Sequence, residues 1–365
     1  MNKKRVVALV ASTMMVASLF TGCGSSTPKT STSTATKIVI GLSTDQGGLN
    51  DKSFNQAADT GIKKAQKEFS LDYKSLESKV KEDYQPNLEA LVNNKSNLVF
   101  GVGFQMEQAL TDTAKKYTTN NFVIIDDVIA LPNVESITFK EQEGSFLMGV
   151  IAGKMTKTNK IGFIGGIDGA LINKFEAGFA AGVKSVNPTA AAGLISKDGK
   201  TPGTMVKYAG SFTDANLGYE DAKSLYSSGC DVVYHAAGGV GLGLFKAAKE
   251  MKDSGKADWA IGVDMDQAVT VPEYSSVILS SMIKRVDTAT YEACKAVVDK
   301  SFKGGKHIEL GLKEDGVGIA PTSNVNTPKD ILDLVKKYQD AIIAGKIVVP
   351  ATRDKVASFT APSVQ

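Results

Sequence analysis

The loop that follows the first predicted strand concentrates polar side chains next to an aromatic one. It reads STDQGGLNDKSFNQ over residues 43–56, and Asp51 or Ser53 could cap a helix that begins near Phe54. The paired glycines of this loop allow another molecule to approach the backbone closely. An ordinary strand-to-helix turn has a similar composition, so the density of polar groups beside Phe54 is what favours a binding loop.

The side chains that most often build catalytic or metal centres are few. His235 and His307 are the two histidines, and Cys230 and Cys294 are the cysteines that remain besides Cys23. Zinc sites and histidine-based triads are therefore not expected. An exported chain could pair Cys230 with Cys294, but these residues fall in different predicted segments, and two buried free thiols are the preferred interpretation.

Three glycine-rich segments approach nucleotide-binding motifs without completing them. In the segment that starts at Gly239, the third glycine of a dinucleotide fingerprint is replaced by Leu244. The segment 149–154 is one residue short of a P-loop and is followed by Met155, where Ser or Thr is required, and the segment 193–201 is one residue too long. Neither nucleotide hydrolysis nor a bound cofactor is expected.

The first 36 residues have the composition of a leader and a tether. Lys3, Lys4 and Arg5 precede an apolar run of about 15 residues, which is shorter than the roughly 20 residues that span a bilayer. The run ends at Thr21-Gly22-Cys23 and resembles the lipobox of bacterial lipoproteins, with Phe20 where those proteins usually have Leu. We expect a signal peptide over residues 1–22, a lipid on Cys23 and a Ser/Thr-rich tether over residues 23–36.

The charge of the mature chain argues against a nucleic-acid partner. The full sequence carries 42 basic and 39 acidic residues, for a net charge of +3. Cleavage after residue 22 would remove three basic residues and no acidic one, which leaves a balanced chain. Bulk electrostatic attraction to nucleic acid or to a membrane surface is therefore not expected.

Two kinds of segment alternate along the rest of the chain. Apolar runs predict strands at 37–42, 97–101, 122–126, 160–164, 206–209, 231–235, 259–263 and 277–282. Amphipathic segments predict helices at 53–69, 106–117, 144–155, 173–186, 216–227, 242–251 and 286–302. Buried strands that alternate with helices indicate an α/β fold with parallel sheets covered on both faces.

A repeated pattern suggests that the chain contains two similar α/β domains. Phe54 is followed after six residues by Gly61-Ile62-Lys63, and Phe175 is followed after six residues by Gly182-Val183-Lys184. Each pattern follows a predicted strand and a glycine-containing loop. We expect a first lobe over 37–157 plus about 284–322, and a second lobe over 158–283 plus about 323–350, with a ligand cleft between them. In open α/β sheets, ligands bind beyond the carboxyl ends of the strands.

Seven segments resemble, in order, the basic membrane protein family of nucleoside-binding lipoproteins that serve ABC importers. They are TDQGGLNDKSFNQ at 44–56, VIIDD at 123–127, YAGSFTD at 208–214, AAGGVGLGLF at 236–245, GVDMDQ at 262–267, SMIKRVD at 281–287 and AIIAGKIVVP at 341–350. The resemblance covers almost the whole chain after residue 36. It implies two lobes like those of type I periplasmic binding proteins.

The same resemblance implies a role for individual residues. Phe54 and Phe212 would lie on the two faces of a bound base, with Phe175 as a rival for the second face. The polar edge of the base would meet Asp45, Asn50 and Asp126, and the ribose would be surrounded by Gly238, Gly239, Asp264 and Lys284. Aromatic stacking contributes about 1–3 kcal/mol per base, which makes such a site physically reasonable.

The sequence therefore predicts a binding protein without catalytic residues. It would be a lipid-anchored monomer that closes around a nucleoside, such as guanosine, inosine or adenosine, and delivers it to an ABC permease powered by a partner ATPase. An exported sensor of the same fold is the alternative. A nucleoside-processing enzyme, with Asp45 and Asp126 as acid and base, is a more distant one.

Overall fold

The computed structural model describes residues 37–364. The predicted signal peptide, the tether and Cys23 lie outside the described residues. Twelve strands are present in the part of the chain that the structure describes. They are β1 (Val39–Thr44), β2 (Asp72–Leu76), β3 (Leu98–Val102), β4 (Asn121–Ile125), β5 (Val134–Phe139), β6 (Ile161–Gly165), β7 (Val206–Tyr208), β8 (Val232–Ala236), β9 (Trp259–Asp264), β10 (Ile278–Lys284), β11 (His307–Leu310) and β12 (Val317–Ile319).

The strands form two six-stranded sheets. The first sheet has the order β11-β5-β4-β3-β1-β2 and is entirely parallel. The second has the order β12-β10-β9-β8-β6-β7 and is parallel except for β12, which pairs antiparallel to β10. The prediction of two α/β lobes built on parallel sheets is confirmed.

Helices cover both faces of these sheets. They are α1 (Phe54–Phe69), α2 (Tyr84–Asn93), α3 (Glu107–Lys116), α4 (Glu141–Met155), α5 (Ala170–Val186), α6 (Pro188–Ala191), α7 (Ala215–Ser227), α8 (Gly241–Asp253), α9 (Gln267–Thr270), α10 (Val286–Val298), α11 (Ser323–Asn326), α12 (Lys329–Ile343) and α13 (Arg353–Val356). Short 3₁₀ turns join several of them. Within the described residues, no helix has the length and apolar character needed to cross a membrane.

The repeated Phe-to-Gly pattern corresponds to equivalent helix contacts in the two lobes. Gly61 of α1 packs on α10, and a Cβ at this position would collide with the carbonyl oxygen of Asp287. Gly182 of α5 packs on α4, and a Cβ there would collide with the carbonyl oxygen of Phe146. In both lobes, the glycine lets two helices approach more closely than any larger residue would permit.

The chain changes lobe at positions that differ from the expected bounds. Helix α4, expected in the first lobe, packs against α5 and β10 of the second, where Gly144 lies on Met282 and Gly149 on α5. Strand β12, also expected in the first lobe, belongs to the second sheet. The chain therefore crosses between lobes after β5, after β10 and between β11 and β12. Gly149 and Gly153 of α4 permit its close contact with α5. The pattern of apolar residues in the sequence does not show which lobe α4 packs against.

The tryptophan of this chain lies at the start of a strand, far from the carboxyl ends of the strands. Trp259, the one tryptophan of the sequence, begins β9 beneath Lys252, whose Nζ is 5.1 Å from its ring centroid.

Cys230 and Cys294 are buried and free, so the interpretation of two unpaired thiols is confirmed. Burial raises the pKa of both thiols to about 12, which keeps them protonated and unreactive.

Candidate functional site

The main cavity lies between the two lobes, at the carboxyl ends of their strands. Residues at or just after the ends of β1, β3, β4, β8, β9 and β10 line it. The cavity volume is about 60 Å³. The lobes are therefore close together, and the remaining space is a narrow slot.

Asp51 organises the loop that joins β1 to α1. Its carboxylate accepts hydrogen bonds from the backbone N–H groups of Ser53 (2.9 Å), Asn55 (2.8 Å) and Gln56 (3.0 Å), so Asp51 supplies the cap predicted for this helix. Burial nevertheless raises the pKa of Asp51 to about 6. This capping contact fixes the first turn of α1, from which Phe54 and Asn55 face the cavity.

Asp45 is held beside this turn. Its Oδ1 accepts hydrogen bonds from Asn55 Nδ2 at 2.7 Å and from the backbone N–H of Gly47 at 2.9 Å. Burial raises the pKa of Asp45 despite these two donors. The Oδ1 atom of Asn55 is buried without a hydrogen-bond partner among the described residues, and it is therefore a free acceptor at the cavity wall.

Lys284 is a buried cation shared by both lobes. Its Nζ lies 2.5 Å from Asp126 at the end of β4 and 3.0 Å from Glu141 at the start of α4. Burial alone would lower the pKa of Lys284, but the carboxylates of Asp126, Glu141 and Asp264 raise it. The ammonium is accordingly charged, and its net effect is to hold acidic groups from several elements together.

Three acidic groups lie around the Lys284 ammonium, those of Asp126, Glu141 and Asp264. Burial is the main cause that raises the pKa of Asp126, and the proximity of Glu141 adds to it. Burial also raises the pKa of Asp264 to about 6, against the opposing effect of Lys284. Both aspartates have positive φ angles, 73° and 66°, a conformation that non-glycine residues seldom adopt and that concentrates at functional sites. The Oδ1 atom of Asp126 has no hydrogen-bond partner among the described residues.

Aromatic rings come to the cavity from both lobes. The Nζ of Lys284 is 5.0 Å from the ring centroid of Phe54 and 5.6 Å from that of Phe175. Phe212 meets Phe104 edge to face, with ring centroids 6.2 Å apart. All four phenylalanines line the cavity. Both lobes therefore present aromatic surface to the same cavity.

Comparisons with known proteins agree with this arrangement. The family described as "ABC transporter substrate-binding protein PnrA-like" (Bmp) matches residues 38–353. The chain belongs to the Bmp family. It is therefore a substrate-binding protein of an ABC transporter, not an enzyme, and such a protein works with a small-molecule ligand and a membrane permease.

Individual relatives of this Bmp-family chain span its full length. The CD4+ T-cell-stimulating antigen of Listeria innocua is 41% identical over 95% of this chain and 99% of its own. The ABC transporter nucleoside-binding protein BmpA of Lactococcus lactis is 39% identical over 96% and 99%. Among solved structures, an ABC transporter solute-binding protein of Aeropyrum pernix superposes with a TM-score of 0.74 at 28% identity, over 88% of this chain and 96% of that one. The type I periplasmic binding protein fold is thereby confirmed.

The structure brings most of the residues expected in the site to one cavity of the Bmp-family chain. The expected residues that line it are Asp45, Phe54, Asp126, Phe212, Gly238, Asp264 and Lys284. Asn50 does not line it, because the turn after Gly48 places Asn50 at the surface, where it accepts a hydrogen bond from Lys52 Nζ. Gly239 lies beside Gly238 but is also absent from the lining.

Several lining residues were not expected from the sequence. Asp51 lies in the same loop as Asp45, Asn55 lies in the first turn of α1, and Phe104 follows the end of β3. The rule that ligands bind beyond strand ends could have found Phe104. Glu141, which contacts Lys284 but does not line the cavity, had no comparable signal, because a glutamate at the start of a helix is usually a solvated residue that favours the helix dipole.

Proposed function

We propose that this chain is a nucleoside receptor, with a preference for purines, that delivers its ligand to an ABC permease. The observation that carries the proposal is the combination of aromatic rings on both lobes with free acceptor atoms between them. The acceptors are Asp126 Oδ1 and Asn55 Oδ1, both buried and both at the cavity wall. A nucleobase offers aromatic faces for the rings and N–H donors for the acceptors.

In this proposal, Phe54 stacks on one face of the base and Phe212 on the other. Phe212 is preferred to Phe175 because Phe175 is almost fully buried against the Lys284 ammonium, whereas Phe212 is partly exposed toward the slot. Asp45, Asn55 and Asp126 would accept hydrogen bonds from the edge of the base. We assign this role to Asn55 and not to Asn50, because Asn55 lines the cavity and Asn50 lies at the surface.

The ribose would lie toward the second lobe. Gly238 has a φ angle of 55° and lines the cavity, and its lack of a side chain lets it lie close to the backbone of Phe212. Asp264 would accept hydrogen bonds from ribose hydroxyls, and Lys284 would hold Asp264 in place. Gly239, the next residue, stays a candidate for contact with the sugar through its backbone.

The charges around the cavity favour a neutral ligand. Asp45, Asp51, Asp126 and Asp264 line it, while Lys284 is its one lining cation among the described residues. A phosphate group would add negative charge to an already acidic, poorly solvated space. A nucleoside therefore suits the site better than a nucleotide. The printed name of the Lactococcus lactis relative, a nucleoside-binding protein, supports the same ligand class.

Isothermal titration of the protein against guanosine, inosine, adenosine, uridine and cytidine tests the proposal. The protein is first unfolded and refolded to remove any ligand carried through purification. We expect purine nucleosides to bind more tightly than pyrimidine nucleosides and guanosine monophosphate not to compete. Absence of binding heat with all five nucleosides would refute the ligand assignment.

We also propose that Cys23 carries a lipid that anchors a monomeric receptor outside the cell membrane. The leader, the lipobox-like sequence and the polar residues 24–36 support this location. Intact-mass measurement of protein from membranes should show a chain that begins at Cys23 and carries acyl groups. A mature chain without acyl groups would remove the anchor.

A further inference from the structure

The two lobes also touch through a contact that lies outside the cavity lining. In the first lobe, the carbonyl oxygen of Lys52 accepts hydrogen bonds from Gln267 Nε2 at 3.1 Å and from Thr270 Oγ1 at 3.4 Å. Both donors belong to the short helix α9 of the second lobe. None of these three residues lines the cavity, so the contact between the lobes does not include the ligand.

The side chain of Gln267 is fixed in a single orientation. Its Oε1 accepts hydrogen bonds from the backbone N–H of Val263 at 2.8 Å and from His235 Nε2 at 2.9 Å. Because Val263 offers a donor, the oxygen end of the amide must face it, and the nitrogen end must face Lys52. Gln267 is fully buried, and its backbone N–H donates to Ser281 Oγ at 3.1 Å.

His235 reinforces this orientation from inside the second lobe. Its ring is fully buried, with an edge-on contact to Phe245 and close packing against Gly241. Because Val263 fixes Gln267 Oε1 as the atom that faces His235, the hydrogen bond between them requires the proton on His235 Nε2. Burial lowers the pKa of His235 to about 4, in agreement with a neutral ring.

The loop of the first lobe is shaped to present the Lys52 carbonyl. Lys52 has a φ angle of 58°, in the left-handed region, and its side chain donates to Asn50 Oδ1 at 2.6 Å. The next residue, Ser53, donates its hydroxyl hydrogen to Asp264 of the second lobe. Residues 50–53 therefore meet the second lobe at two neighbouring points, one at the cavity and one beyond it.

We propose that Gln267 is a positioning residue that latches the lobes together by binding the Lys52 carbonyl, without contact to the ligand. The latch is defined as Lys52, Gln267 and Thr270, with His235 as the residue that orients Gln267. It favours the closed state of the protein, which raises ligand affinity and slows ligand release. The affinity readout rests on the proposed nucleoside function.

The substitution Gln267→Glu tests the latch with almost no change of shape. A glutamate keeps an oxygen for Val263 and His235 but replaces the donor toward Lys52 with an acceptor. An uncompensated buried contact of this kind corresponds to about a ten- to hundredfold change in an equilibrium constant. We expect guanosine to bind about ten- to hundredfold more weakly and to dissociate faster. We also expect the backbone amides of residues 50–54 to exchange hydrogen faster in the ligand-free protein.

Asn326→Asp is the matched control. Asn326 Nδ2 donates to the carbonyl oxygens of Ser275 (2.9 Å) and Ile278 (2.8 Å), and all three residues lie in the second lobe. The same amide-to-acid change should lower the melting temperature there without changing guanosine affinity or exchange in residues 50–54. Equal effects of the two substitutions would mean that Gln267 acts only on the stability of its own lobe.

Unchanged affinity and unchanged exchange in Gln267→Glu would overturn the latch. If that variant fails to fold, Thr270→Val removes the longer hydrogen bond from a partly exposed position, and a severalfold loss of affinity is expected. Failure of the nucleoside assignment is recognised separately, because wild-type protein would then bind no guanosine. In that case the latch is tested by hydrogen exchange alone, from the exchange rates of residues 50–54 in the ligand-free wild-type and variant proteins.

Discussion

The loop before α1 and the first turn of that helix bring two carboxylates and an amide to the cavity, those of Asp45, Asp51 and Asn55, whereas the first turn of α5 in the other lobe brings Leu171 and Ile172. The two helices are otherwise alike in position, since each follows the first strand of its lobe and packs through a glycine on a partner helix. The same framework therefore presents a polar wall in the first lobe and, at α5, an apolar wall in the second lobe, whose strands β9 and β10 add the charged groups of Asp264 and Lys284.

This difference separates two tasks within one binding site. The polar wall of the first lobe can distinguish ligands by their hydrogen-bond donors, because each buried acceptor left without a donor costs about 1–3 kcal/mol. The apolar wall of the second lobe gains free energy from almost any flat surface that it covers. Discrimination between bases is accordingly expected mainly from the first lobe, whereas Asp264 of the second lobe would distinguish a nucleoside from its free base.

The largest expected effect concerns Lys284, the cation between the two walls. Lys284→Met would leave Asp126 buried without its ammonium and Glu141 with Lys174 alone, and removal of one partner of a buried ion pair costs about 3–5 kcal/mol. Urea unfolding should show this loss in the free energy of unfolding. Lys174→Met is the control, since Lys174 also pairs with Glu141, at 3.1 Å, but is partly exposed. An equal loss in both variants would contradict a special role for Lys284.

The glycine contacts test whether the two lobes are built alike. Gly61→Ala and Gly182→Ala each place a methyl group against a backbone carbonyl, and overpacking of this kind costs about 1–3 kcal/mol. We expect similar losses in thermal unfolding for the two variants. Gly169→Ala should be neutral, because a Cβ at that position has no neighbour within 4 Å. A loss at one glycine alone would break the equivalence of the two helices.

Removal of single phenylalanine rings tests which residue of each wall stacks on the base. Phe54→Ala and Phe212→Ala should each weaken nucleoside binding by about 1–3 kcal/mol, and Phe54→Ala should weaken free-base binding to the same extent. Titration calorimetry with guanosine and guanine measures both. If Phe175→Ala weakens binding while Phe212→Ala does not, Phe175 is the stacking residue of the second lobe.

Substitution of Asp264 tests the ribose contact on the wall of the second lobe. Asp264→Ala should weaken nucleoside binding by about 1.5–3 kcal/mol, the contribution of hydrogen bonds to a charged group. Binding of the free base should change less, because the base lacks the hydroxyls that Asp264 would accept. Unchanged nucleoside affinity would assign the ribose to another residue.

The smallest expected effect is a pH dependence of the protein's stability, which comes mainly from the carboxyl groups of the polar wall. Burial raises the pKa of Asp45 and Asp126 and brings that of Asp51 and Asp264 to about 6, so the folded protein binds more protons than the unfolded chain. The stability from these groups is present at low pH and is lost as pH rises through about 6. His235 acts in the opposite sense, but it is one group against four.

We therefore expect the melting temperature of the ligand-free protein to fall by a few degrees between pH 5 and pH 7. Asp264→Asn should make this dependence shallower, because the amide does not titrate. A melting temperature that rises over the same interval would show that the carboxyl groups are not buried as described.

The sequence predicted the fold and the strand-end residues well, because both follow from strong patterns. Asp126 and Asp264 follow apolar runs, and the spacing that repeats from Phe54 to Phe175 marks equivalent helices. The lobe to which α4 belongs was not predictable, since its apolar residues surround the whole helix. Asn50 lies at the surface because of the turn after Gly48, and the sequence does not show that this turn exposes Asn50 while it buries Asp51.

Strand β9 has a practical consequence for fluorescence measurements. Trp259 begins the strand and Asp264 ends it, and five residue steps of about 3.3 Å put roughly 16 Å between the tryptophan and the cleft. The intrinsic emission of this protein therefore originates at the base of the second lobe, away from any bound ligand. A fluorescent binding assay needs a dye or a new tryptophan at the cleft, for example Phe104→Trp on the polar side.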